Sequence, residues 1–126
     1  MCKEETFCTL INCMDGRVQL HCNPWMRERF CTDHVDTITA PSPVKRLATN
    51  DAPELQDYVR ISVKKHGSQA IAIAAHPECA GNPVNKEIQL EELEKSVARL
   101  KVEFPHVEVI ALWVELDGTV EEIPTR

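Results

Sequence analysis

Residues 70–75 read AIAIAA, an unbroken apolar run with no polar side chain to turn towards water. A strand of that composition is buried on both faces. Sheets with both faces covered are built from parallel strands with helices packed above and below. The remaining sequence supplies the other parts of such a fold. Residues 6–13 (TFCTLINC) are short, mostly apolar and β-rich, and residues 35–39 (VDTIT) alternate and are β-branched, so both read as strands. Residues 107–116 form a further buried strand, and Asp117-Gly118 is a hairpin turn that returns residues 119–123 as an antiparallel edge.

Helices fall between these strands. Asn23-Pro24 offers an N-cap followed by proline, predicting a short helix to about Phe30, and Ser42-Pro43 repeats the signal for a short turn ending near Asn50. Asp51 with Glu54 is a capping-box pattern ahead of Leu55, Tyr58, Val59, Ser62, Val63 and His66 at helical spacing, with Gly67 at the usual stop position. Leu90, Leu93, Val97, Leu100 and Phe104 form the core-facing stripe of a second long helix, which Pro105 ends. Strands alternating with helices over 126 residues predict one α/β domain, residues 1–126. Its sheet is mainly parallel, of about four strands plus a C-terminal antiparallel hairpin edge.

Two short segments each follow directly on a predicted central strand: Cys13-Met14-Asp15-Gly16-Arg17 and His76-Pro77-Glu78-Cys79. In open parallel sheets ligands bind beyond the carboxyl ends of the strands. Cys13, His76 and Cys79 make a soft nitrogen and sulfur donor set suited to one Zn²⁺, and three protein ligands leave a fourth position for water. Cys13, Asp15 and Arg17 share one side if the backbone stays extended. Arg17 can then hold Asp15 ionised and aim it, or the two form a local ion pair that only shapes the turn.

The rest of the composition narrows the partners. The net charge is −6 with no basic run, which disfavours nucleic acid and anionic membrane. No apolar stretch reaches membrane-spanning length and MCKEETF lacks a signal-peptide core, so a cytoplasmic protein is expected. In a reducing compartment the six cysteines favour metal or catalysis over disulfides. Cys8 reads as a small core residue facing away from Cys13. Cys2, Cys22 and Cys31 match no standard zinc spacing, and His21-Cys22 reads as a free surface pair. His34, His66 and His106 read as ordinary, Trp25 as core or interface, and Gly81-Asn82-Pro83 as a turn whose N–H groups could meet an anion.

The paired motifs resemble those of the β-class carbonic anhydrases. CMDGRVQ, ITAPSP, HPECAGNP and ALWVELDG resemble a compact branch of that family, across nearly the whole chain. The resemblance implies zinc on Cys13, His76 and Cys79, and Asp15 with Arg17 as a catalytic dyad. It also implies reversible hydration of CO2 to bicarbonate, and a homodimer or higher homo-oligomer with sites near the subunit interface. In some members the aspartate closes the site as a fourth ligand, a second role open to Asp15. The chain departs from larger members at residues 37–43 (TITAPSP), at Glu4 in place of a glutamine and at Ala80 in place of a glycine. Tyr58 is a loose match to a pocket tyrosine. Two further readings keep the site: a zinc hydrolase of another small electrophile, such as carbonyl sulfide or carbon disulfide, and a noncatalytic zinc or anion-binding module.

Overall fold

The computed structural model describes residues 5–125, so Cys2 and Glu4 lie outside the described residues. Strands β1 (Phe7–Cys13), β2 (His34–Ala40), β3 (Ala70–Ala75) and β4 (Glu108–Val114) run parallel, and β5 (Val120–Ile123) lies antiparallel on β4. The order across the sheet is β2-β1-β3-β4-β5. The chain therefore steps one way from β1 to β2 and the other way from β3 to β4. Strand order reverses between β1 and β3, where a crevice opens beyond the carboxyl ends.

The apolar run of β3 does what its composition requires. Ile71, Ile73 and Ala75 face one core, shared with Val109, Ala111 and Trp113 of β4. Ala70, Ala72 and Ala74 face the other, shared with Ile110, Leu112 and Val114. The first core is closed by α2 (Pro43–Thr49), α3 (Pro53–Lys65) and α4 (Lys86–Glu103), which contribute Val44, Leu47, Leu55, Val59, Leu93, Val97 and Leu100. The second is closed by α1 (Cys22–Phe30) through Cys22, Met26 and Phe30, with Trp25 half-buried against it. Both faces of the sheet are thus covered, as a parallel sheet needs.

Several helix starts differ from their sequence signals. α1 begins a residue before Asn23, with His21 at its N-cap, and the Asn23 amide donates instead to the Thr37 hydroxyl of β2. The expected capping box at Asp51 and Glu54 does not form. Ala52 caps α3, and both acids pair with Arg46 of α2, a charge partner stronger than a backbone N–H. At α4, Asn85 Oδ1 accepts from the Ile88 N–H, a cap the sequence reading had not singled out. Gly67 stops α3 with φ 65°, as expected.

Cys22 is buried, and its thiol donates to the Val18 carbonyl, so His21-Cys22 is not a surface pair; only His21 is exposed. Burial pushes the Cys22 thiol up to about 11. Cys8 is a core residue beside the Thr32 hydroxyl, yet it shares a core with Cys13. Among the described residues no helix is long and apolar enough to cross a membrane.

Candidate metal centre

Cys13 is the last residue of β1, and His76 follows the last residue of β3, its neighbour in the sheet. Cys79 closes the turn after His76. Their ligand atoms all lie within 4.8 Å of one another, the two sulfurs are 3.8 Å apart, and all three residues are buried. Among the described residues no other group of His, Cys, Asp and Glu forms such a cluster.

The histidine is oriented as a ligand. Its Nδ1 lies 2.7 Å from the Pro77 carbonyl, which can only accept, so Nδ1 carries the proton. That leaves the Nε2 lone pair for a metal. Nε2 is buried and meets no partner in hydrogen-bonding geometry, although the Cys13 sulfur lies beside it. A buried nitrogen without a partner costs about 1–3 kcal/mol, and a cation between it and the two sulfurs would remove that cost. The donor set and the orphaned nitrogen together fit Zn²⁺.

Electrostatics favour the ligand forms unevenly. Burial raises the Cys13 thiol, but the His76 ring and the N–H groups of Asp15 and Ser42 outweigh it and bring the thiol down to about 7. Cys79 moves the other way, raised by burial and by the Cys13 sulfur. Burial disfavours charge on His76, yet the Cys13 sulfur and the Pro77 carbonyl raise its pKa overall.

Asp15 stands outside the three-residue cluster. The backbone does not stay extended beyond Cys13. Asp15 caps a 3-10 turn over Gly16–Val18, and its Oδ1 accepts from the Arg17 N–H at 2.8 Å. Arg17 therefore folds back onto Asp15, with Nη2 2.7 Å from Oδ2 and Nε within reach of both oxygens. The Arg17 guanidinium holds the Asp15 carboxyl down at about 2. The remaining face of Arg17 reaches the second motif, donating from Nη2 to the Glu78 carbonyl at 3.1 Å. The sequence-selected Asp15 and Arg17 thus sit together and tie the two motif loops to each other.

Three residues that sequence reasoning did not select complete the site. Gln19 donates to the carbonyls of Cys13 and Asp15, fixing the first loop. Gln89 of α4 is buried and donates to the His76 carbonyl at 2.8 Å, fixing the second. Ser42, between β2 and α2, is buried with its hydroxyl unbonded. Gln19 and Ser42 lie within the CMDGRVQ and ITAPSP stretches, which carried a signal; Gln89 carried none. Ser42 and Glu78 both have left-handed backbones, φ 44° and 56°. That conformation costs a non-glycine residue about 1–2 kcal/mol.

The N–H groups of the Gly81-Asn82 turn are already engaged. Asn82 N–H donates to the Cys79 carbonyl, and Gly81 N–H lies near the Cys79 sulfur. An anion there would have to displace these partners. A Cβ at Gly81 would come within 3.3 Å of Pro41, so this turn lies close against the chain after β2. Between them opens a cleft of about 230 Å³ lined by Cys13, Met14, Asp15, Pro41, Ala80 and Gly81. Tyr58 is exposed on α3 and does not line this cleft.

Residues 3–124 match the family described as "Putative carbonic anhydrase". No curated protein matches the chain at a significant level. Among solved structures, the fold is similar to that of the β-carbonic anhydrase CafA of Aspergillus fumigatus, at 10% identity and TM-score 0.64, covering 96% of this chain and 76% of that one. A structure from a study of two tetrameric β-carbonic anhydrases of Sordaria macrospora matches at 10% identity and TM-score 0.64, over 97% and 82%. The β-carbonic anhydrase isoform I of Trichomonas vaginalis matches at 14% identity and TM-score 0.62, over 95% and 82%.

Proposed function

Because the chain belongs to the carbonic anhydrase family that spans its residues 3–124, we propose that it holds one zinc ion on Cys13, His76 and Cys79 and hydrates CO2 reversibly to bicarbonate. The observation that carries this reading is the convergence of two sulfurs and an unpartnered imidazole nitrogen at the ends of adjacent strands. Zinc bound there would supply Lewis acidity that makes a water nucleophilic near neutral pH.

The chain's own residues have distinct roles in this reading. Asp15, held ionised by Arg17, can only accept a hydrogen bond, so it orients a donor at the open side of the metal site. Both of its oxygens accept from Arg17, which favours the orienting role over that of a fourth ligand. Arg17 also fixes the His76 to Cys79 loop relative to Asp15. Met14, Pro41 and Ala80 give the cleft an apolar lining suited to a small uncharged substrate. The same lining favours a second reading, hydrolysis of carbonyl sulfide or carbon disulfide at the same site.

A homo-oligomer is part of the proposal, supported by the tetrameric state of the Sordaria macrospora proteins. A cytoplasmic location is also part of it, since a reducing compartment keeps both sulfurs available.

Metal analysis and stopped-flow CO2 hydration, run beside Cys13→Ser, test the reading. One zinc per chain with hydration above background, both lost in Cys13→Ser, is expected. Zinc without hydration of CO2 would sink the anhydrase reading and leave the other electrophiles, or a noncatalytic zinc or anion-binding module. Failure to take up zinc on reconstitution would sink the metal site as well.

A further inference from the structure

Ser42 combines three features that seldom meet in one residue. It is 2% exposed, its hydroxyl has no partner in hydrogen-bonding geometry, and its backbone is left-handed at φ 44° without being glycine. The serine side chain is not explained as a helix cap, because it makes no cap bond to α2. Nor is it held by the neighbouring loop: a Cβ at Gly81 would sit 3.6 Å from the Ser42 Cβ, a packing contact and no more. Buried hydroxyls are almost always satisfied, so an unsatisfied one calls for an acceptor that arrives with a ligand.

The surroundings identify that acceptor. Ser42 packs against the Gly81 turn that follows Cys79, which leaves its hydroxyl near the Cys79 sulfur and its N–H near the Cys13 sulfur. The Asp15 N–H also lies near the Cys13 sulfur, and the Gly81 N–H near the Cys79 sulfur. A thiol is a poor acceptor, whereas a metal-bound thiolate carries charge and accepts well. We propose that Ser42 is a positioning residue for the metal, giving its hydroxyl to Cys79 and its N–H to Cys13, so that one residue holds both thiolates. Partners of this outer kind orient ligands and tune the metal they hold. By drawing charge from Cys79, the hydroxyl leaves the metal a stronger Lewis acid.

The inference rests on the zinc reading above, and the experiment separates the two. Wild type, Ser42→Ala and Ser42→Gly are each loaded with zinc, titrated against a chromophoric chelator, and then loaded with Co²⁺ for absorption spectra. Both variants lack the hydroxyl, but only glycine relieves the left-handed strain. Expected in both is a roughly tenfold loss of zinc affinity. The thiolate-to-cobalt charge-transfer band should also move to lower energy, since a sulfur freed of a hydrogen bond gives up charge more readily. The glycine variant should unfold at a temperature equal to or above that of alanine. A purely structural role would make affinity follow stability, with glycine like wild type. Loss confined to one variant, or an unmoved band, overturns the role of Ser42 while the zinc reading stands. A wild type that takes up neither metal overturns both.

Discussion

Both carboxylate oxygens of Asp15 accept from Arg17, at 2.8 Å from its N–H and 2.7 Å from its Nη2. The pairing survives any pH at which the fold does useful chemistry, because the carboxyl is held at about 2. Asp15→Asn keeps the size of the side chain and removes the charge. Zinc content should stay at one per chain while CO2 hydration falls to background. Unchanged turnover in stopped-flow assays would rule out the orienting role.

The same pair makes a prediction about acid stability. A carboxyl whose folded pKa lies below its unfolded value of about 3.9 stabilises the fold above that value and stops doing so as pH falls through the folded one. The contribution of Asp15 should therefore vanish between about pH 4 and pH 2. Its size is modest because Arg17 is half-exposed. Melting temperatures over that range should fall less steeply in Asp15→Asn than in wild type; parallel curves would contradict the pairing.

Metal uptake should depend on pH in a defined direction. Zinc needs both thiolates, and at neutral pH Cys79, raised by burial, keeps its proton, while the Cys13 thiol is held lower, at about 7. Binding should release protons, and apparent affinity should fall as pH falls, more steeply below about 7 where Cys13 also protonates. Calorimetry in buffers of different ionisation enthalpy reads the proton count. No buffer dependence at pH 7 would contradict protonated ligands.

Gln89 tests how the second loop is held. Gln89→Leu removes the donor to the His76 carbonyl in a fully buried place, and should cost about 1–3 kcal/mol in denaturant unfolding together with a loss of zinc affinity. A stability loss without any change in affinity would make Gln89 a packing residue only.

Gly118 tests the hairpin. Its φ is 98°, and a Cβ there would clash with the His21 ring. Gly118→Ala should destabilise by about 1 kcal/mol or more. Because the His21 ring can swing aside, most of that loss should persist in a Gly118→Ala, His21→Ala double variant. Full recovery would show that the clash, not the backbone, sets the cost.

The fold was legible because its signals are local. The AIAIAA run, the stripe from Leu93 to Leu100 and Gly67 each act within a few residues, and each does in the structure what it predicted. The metal cluster was legible because strand ends converge by topology, so two motifs sufficed to place Cys13, His76 and Cys79 together. What escaped depends on which partner a side chain meets once neighbouring elements pack. Asp51 and Glu54 turned to Arg46, Cys22 turned inward from the first turn of α1, and Gln89 reached His76 from the start of α4. The extended arrangement of Cys13, Asp15 and Arg17 failed for a local reason, since the Asp15 carboxylate captured the Arg17 N–H and curled the chain.

Cys13 and His76 stand about sixty residues apart in the chain, yet they end adjacent strands. The chain between them builds α1, β2, α2 and α3. A cation seated on both would close that long loop and cut the entropy of the unfolded chain, as a cross-link does. The ion would then be a removable staple as well as a reagent. A chelator would lengthen the tether between the halves of the sheet, speeding the opening of the protein.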